Sequence, residues 1–349
     1  MALAVTIRSL VGTVGPFLAA VADSRGRKLG MLLGAGFFIL GTGAVVFWPT
    51  YPVFVLSLVL TMMGKYVFDP AMQAYLGDRV AYERRGKVLA ITEYGWSLSL
   101  IIGIPVVGFL IARQGWMAPF VLLALLGIGS FVILTWMLPK DPPPKEENRA
   151  FWSNLRLIFT SLPALLALGV GFFMSTANET VNLVFGVWLE DAFALQIAAL
   201  GAASAVIGFS ELGGESLSVW LTDQLGKTVA VGLGLTLNCL AALALPFIGN
   251  SLPGALVGLF LFYITFEFTI VSSIPLMTEV MPTARATLMA TNAAVFSLGR
   301  AIGAMLATQL YALGRAYPSL PDLLANGLAA ILLNLLGLLT LYFLRRYIR

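Results

Sequence analysis

The amino-acid sequence predicts an all-α polytopic membrane protein, and three observations carry that prediction. First, 59% of the 349 residues are hydrophobic and only 11% are charged, with a mean hydropathy of +0.92. A soluble domain carries about 25% charged residues, so this chain has too few polar side chains to cover a water-facing surface. Second, the apolar residues gather in continuous runs, and a membrane-crossing helix needs about 20 such residues. Third, the basic residues fall in alternate connections between the runs. Strands of a β-barrel would alternate apolar and polar residues, which these runs do not.

Eleven runs qualify as spans: 2–22, 29–48, 53–76, 88–111, 116–138, 163–187, 195–220, 228–247, 254–276, 287–311 and 323–344. Sixteen of the 21 Lys and Arg lie in connections that share one side, counting the C-terminal tail. They include Arg25, Arg27 and Lys28, the Arg79-to-Lys87 group, Lys227, Arg285 and Arg345–Arg349. The opposite connections hold only Arg113 and Arg315, and Arg8, Lys65 and Arg300 lie within spans. By the positive-inside rule the base-rich side is cytoplasmic, which predicts a multi-pass protein of the inner or plasma membrane with its C-terminus in the cytoplasm. The bases form no contiguous patch, so a nucleic-acid partner is not expected. The absence of histidine removes most zinc and haem readings, and no cofactor or metal site is expected. The single cysteine, Cys239, permits no internal disulfide and says nothing of redox compartment. Without a metal-ligand cluster or a G-x-S-x-G nucleophile turn, the sequence does not read as an enzyme.

The chain also repeats itself. Ala22-Asp23-Ser24-Arg25-Gly26-Arg27-Lys28 is echoed 200 residues later by Thr222-Asp223-Gln224-Leu225-Gly226-Lys227. In both copies an acid is followed three residues on by glycine and then a base. The same offset pairs Arg85 with Arg285, Ser97-Leu98 with Ser297-Leu298 and Gly103 with Gly303. A tandem repeat in one orientation predicts two bundles related by an axis along the membrane normal. The proline-rich, charged stretch 139–161 then reads as a cytoplasmic linker, with Phe151–Phe159 forming a short amphipathic helix at the membrane surface. The expected halves are an N-terminal bundle over 1–138 and a C-terminal bundle over 162–349. The span 163–187 has no counterpart after Met1, so the bundles count five helices and six. An amino-terminally truncated piece or a misplaced start is the expectation, against a protein that lacks the helix.

With these residues in view, the chain resembles the major facilitator superfamily over essentially its full length. Asp23-Ser24-Arg25-Gly26-Arg27-Lys28 is similar to the family's loop signature Gly-x-x-x-Asp-Arg-x-Gly-Arg-Lys, with Ala19 for the leading glycine and Ser24 for the first arginine. Gly26 permits a tight turn with φ > 0, and Arg27 and Lys28 keep the turn beside anionic headgroups. The resemblance implies that Asp23 latches the cytoplasmic face, with Arg84, Arg85 and the start of the 287–311 span as candidate partners; the bland reading is that these residues only set topology. Asp223, Gly226 and Lys227 are the second copy of this gating motif. In the span 88–111, Gly95, Gly103, Pro105 and Gly108 resemble a degraded form of the family's antiporter signature, with Ile104 and Phe109 in place of glycines. Ordinary close packing of small residues is the competing account.

Charges within the membrane are costly and mark candidate functional sites. Lys65, Glu267 and Arg300 lie near the centres of their spans, and Asp69, Glu93, Glu179 and Glu211 lie off-centre. Lys65 and Asp69, four apart, pair on one helix face. Ser204, Gly208, Glu211 and Glu215 form a stripe, Ser175, Asn178, Glu179 and Asn182 another, and Tyr263 and Glu267 a shorter face. Together they predict a polar cavity between the halves. Glu267 is either a salt-bridge partner of Arg300 or a proton carrier. Burial favours the protonated form of a carboxylate and a nearby cation the ionised form, so a carboxylate alternating between the two can carry a proton. Trp96 and Tyr94 either stack on an organic substrate or pack in the core, the second being the expectation. The resemblance implies a monomeric secondary transporter for a small-molecule substrate, with proton-coupled efflux favoured over import or a non-transporting homologue, and Asp69, Glu211 or Glu267 carrying the proton.

Overall fold

The computed structural model describes residues 26–79, 95–96, 98–139, 150–281, 285–317 and 319–347. The run 2–22 and the residues Asp23, Arg84, Arg85 and Glu93 lie outside them. Among the described residues, nine helices are long and apolar enough to cross a membrane.

The chain enters helix α1 (Arg27–Phe47) at Gly26, whose φ of 110° and ψ of 151° place it in a region reserved for glycine. Gly226 does the same at the matching position, with φ 83° and ψ 138°, opening α10 (Lys227–Ile248). The repeated motif is therefore a repeated piece of backbone geometry, as its glycine predicts. Helix α2 (Tyr51–Arg79) packs along α1. Gly34 and Gly64 face each other there, and a Cβ added at Gly34 would stand 2.7 Å from the Gly64 carbonyl oxygen. In lipid, helices associate through such close backbone approach.

A π-helical turn, Ser99–Gly103, leads into α3 (Ile104–Gln114). α4 (Ala118–Met137) returns along α1, with Gly127 against Phe38. α5 (Ala150–Thr160) matches the amphipathic helix expected in the linker. It buries Ile158 completely and leaves Leu157 and Phe159 exposed, as a helix lying on an interface does.

The second half holds α6 (Leu162–Asn182), α7 (Phe185–Phe193), α8 (Ile197–Ala203), α9 (Ala205–Leu225), α10, α11 (Leu252–Val280), α12 (Arg285–Arg315) and α13 (Leu324–Leu344). α6 packs on both α12 and α13, α10 on α11 and α13, and α9 on α11. Two expected spans are interrupted. The run 163–187 extends to Phe193 but breaks at Leu183–Val184, where Val184 N–H reaches back only three residues, to Val181. The run 195–220 extends to Thr222 and breaks at Ser204, whose hydroxyl bonds the Leu200 carbonyl. Such back-bonding competes with the helix ladder and bends helices.

The two halves meet along α3, α8 and α9. Gly108 lies against Gly201, where an added Cβ would come within 3.2 Å of the other glycine's Cα, and Gly208 lies against the Leu100–Ile101 backbone. Gly108 of the antiporter-like motif and Gly208 of the Ser204–Glu215 stripe thus allow one bundle to touch the other.

Candidate functional site: a polar seam between the bundles

Arg300 stands at the middle of α12, and its Nε bonds Glu179 Oε2 at 3.0 Å. The Glu179 side chain is 4% exposed and that of Arg300 37%, so the carboxylate is sealed while the Arg300 side chain keeps part of its surface open. The small residues Gly299 and Gly303 let α12 press onto α6 here. A Cβ at Gly303 would stand 2.7 Å from Glu179 Cβ. Asn182 Nδ2 donates to the same Glu179 oxygen at 3.2 Å, and Tyr263 on α11 donates to Asn182 Oδ1 at 2.9 Å. One chain of bonds therefore links α12, α6 and α11.

From the first half, Tyr66 on α2 shares a 2.6 Å hydrogen bond with Ser297 on α12. On the preceding residue of α2, Lys65 Nζ lies 3.7 Å from Asp69 and 4.0 Å from the centre of the Trp96 ring. On the facing side, the Glu211 carboxylate of α9 approaches the Trp96 indole, within electrostatic reach of Glu215 and Arg300. Among the described residues, its buried Oε2 accepts no hydrogen bond. Three carboxylates, two cations and three aromatic rings thus converge between the bundles from six helical segments.

The predicted polar faces come together, but two of the expected partnerships differ. Glu179, rather than Glu267, is the carboxylate that pairs with Arg300, because the α12 glycines bring α6 closest. Glu267 instead lies on α11 against Gly214 of α9. Trp96 is 45% exposed, so it lines the seam and does not fill a core. In the repeated motif, Lys28 donates to the carbonyls of Thr135 and Leu138 at 2.8 and 2.6 Å, capping the end of α4. A cation at a helix C-terminus also meets the negative end of its dipole. Lys227, one position earlier in the repeat, pairs with Glu279 at the end of α11. Asp23 and its proposed partners Arg84 and Arg85 lie outside the described residues, as do Glu93 and the side chains of Asp223 and Arg285.

Several polar contacts carried no sequence signal. Asn326, fully buried, donates to the carbonyls of Thr180 and Ala307 and so ties α13 to α6 and α12. Asn334 donates to Asn238 Oδ1 between α13 and α10. Near the base-poor end, Asp191 on α7 accepts from Arg315 at 2.6 Å and from Tyr311 at 3.0 Å. A buried amide in a run of Leu and Ala looks the same in sequence whether or not a carbonyl awaits it.

Repeated helical bundles meeting at a polar seam in mid-membrane define a class, the secondary-transporter folds. Within that class, the chain belongs to the Major Facilitator Superfamily, whose family model matches residues 1–304. It is 24% identical over 262 residues to the uncharacterized MFS-type transporter YbcL of Bacillus subtilis (strain 168), covering 74% of this chain and 65% of that protein. It is 27% identical over 300 residues to YceJ, another uncharacterized MFS-type transporter of the same organism, covering 83% of this chain and 74% of that one. The matched region is thus about two thirds to three quarters of these relatives' length. A crystal structure of a mutant peptide transporter POT in complex with alafosfalin superimposes with a TM-score of 0.76. At 15% identity it covers all of this chain and 86% of the other, and it shows the shared fold.

Proposed function

We propose that the protein is a secondary active transporter that moves a small organic solute across the cell membrane by alternating access, coupled to protons and working as an efflux antiporter. The observation that carries this reading is the polar seam itself. Intramembrane charges are retained where they serve a pathway, and here they gather where one bundle faces the other. Rocking of the bundles would expose the seam to each side in turn. Glu211 supports the proton assignment: its carboxylate is partly buried, and one oxygen has no hydrogen-bond partner among the described residues. Asp69 and Glu267 are the other candidate carriers. The efflux direction rests on the Gly103–Gly108 segment, which resembles an antiporter signature and forms contacts between the bundles. The Asp23–Lys28 turn and its copy at Asp223–Lys227 are assigned to gating at the cytoplasmic ends.

Proteoliposomes loaded with a panel of small organic solutes test the proposal. The expected result is solute efflux that accelerates under a proton gradient and slows when an ionophore collapses it. Transport indifferent to the gradient would remove the proton coupling, and solute uptake driven by proton entry would reverse the direction.

A further inference from the structure

We propose that the solute taken by this seam is an organic cation with an apolar or aromatic body, held between the Glu211 carboxylate and the face of Trp96. The proposal rests on the transport reading above and names the solute class for the same site. Its basis is the way the charges of the seam are already matched. Arg300 bonds Glu179, and Lys65 lies beside Asp69. Among the described residues Glu211 makes no ion pair, although Arg300 lies within electrostatic reach; the Trp96 indole reaches its carboxylate, and its Oε2 is buried without a donor. An acceptor withheld from water and left without a partner is costly, and a ligand cation relieves it. Glu215, one turn further along α9, adds negative potential at the same place.

The second observation is independent of the carboxylates. The Trp96 ring already receives a cation, the Lys65 ammonium at 4.0 Å from its centre. Trp offers the strongest cation–π face among the side chains, and at 45% exposure this ring keeps area free for a ligand. Lys65 thus shows, in the protein's own side chain, the chemistry that a bound organic cation would reproduce. An anionic solute would have to compete with Asp69 and Glu179 for cations they already hold and would approach Glu211 at a penalty. A neutral solute would leave Glu211 unmatched.

The test is equilibrium binding of tetraphenylphosphonium to the purified full chain in detergent, measured against tetraphenylborate, an anion of nearly the same size and shape. Saturable binding of the phosphonium is expected, at least tenfold tighter than that of the borate. Glu211→Gln should weaken it at least tenfold, Glu211→Asp less, and Trp96→Ala severalfold. Because Trp96 is half exposed, its truncation leaves the packed core intact, and each variant is compared at unchanged melting behaviour and monodispersity. Borate binding as tight as the phosphonium, or phosphonium binding unaffected in both Glu211→Gln and Trp96→Ala, would overturn the proposal. Failure of the two readings is distinguishable. A protein that transports a neutral or anionic solute but ignores the phosphonium loses this inference and keeps its transport function. One that binds the phosphonium through Glu211 and moves no solute keeps the site and loses the transport reading.

Discussion

Removing Arg300 should destabilise the protein far more than removing the charge it pairs with, and the asymmetry follows from their different burial. Glu179 is 4% exposed and Arg300 is 37% exposed. In Arg300→Met the carboxylate of Glu179 is stranded, with Asn182 as its remaining donor and no access to water. Breaking a buried pair in this way costs about 3–5 kcal/mol. In Glu179→Gln the Arg300 side chain keeps its exposed portion, and the new amide oxygen can still accept from Asn182. What is lost is about the net worth of one hydrogen bond, roughly 1 kcal/mol. The double variant strands no charge, and the amide oxygen introduced by Glu179→Gln can still accept from Asn182, so it should lie within about 2 kcal/mol of wild type. A positive coupling of at least about 2 kcal/mol between the two sites is therefore expected. Denaturant unfolding in detergent micelles, followed by tryptophan fluorescence, measures all four proteins. Equal losses for the two single variants, or additive losses in the double, would refute the claim that Glu179 is a sealed charge held by Arg300.

The remaining predictions use the same unfolding measurement. Gly303→Val drives a side chain into Glu179 Cβ and the Thr176 carbonyl, each 2.7 Å from an added Cβ, and should cost about 1–3 kcal/mol or more. Gly36→Ala and Gly129→Ala, with open space at the same position, should stay within about 0.5 kcal/mol. Gly226→Ala places a Cβ on a backbone of φ 83° and ψ 138° and should lose about 1–3 kcal/mol; a neutral outcome would mean the turn relaxes readily. Glu279→Gln breaks the half-exposed pair with Lys227 and should cost under about 1 kcal/mol, a difference that vanishes in high salt.

The parts of the fold visible in the sequence were those fixed within one helix or one turn. Run length identified nine of the eleven expected spans; the run 2–22 lies outside the described residues, and 88–111 is described only in part, with the shorter apolar helix Ser99–Gln114 at its end. Gly26 and Gly226 marked two positive-φ turns. The α5 helix followed from the short amphipathic segment expected over Phe151–Phe159. The polar faces were legible for the same reason, since residues three and four apart share a side of a helix. Which faces meet was not legible. The sequence offered Glu267 as the partner of Arg300; that Glu179 takes the place depends on how closely α12 approaches α6 through Gly299 and Gly303. Trp96 was expected in the core because tryptophan is apolar; its exposure is a property of the seam between bundles. The interruptions at Leu183–Val184 and Ser204 carry no proline or glycine at the break, so the usual punctuation was missing. Lys28 read as a headgroup contact because a terminal carbonyl pair, such as that of Thr135 and Leu138, has no signature in sequence.

The central claim is that two bundles rock about the seam, and distances across both ends of the molecule test it most directly. Cys239 is replaced by serine and spin labels are placed at exposed positions in two pairs. Gln114 and Gln196 flank the contact of α3 with α8, and Met137 and Gln224 end α4 and α9 on the base-rich side. Electron double-resonance distances are then compared across pH and with tetraphenylphosphonium. The account predicts two populations at each pair, changing in opposition, so that the condition lengthening the Gln114–Gln196 distance shortens the Met137–Gln224 distance. A single unchanging distance at both pairs, or two that lengthen together, would contradict it.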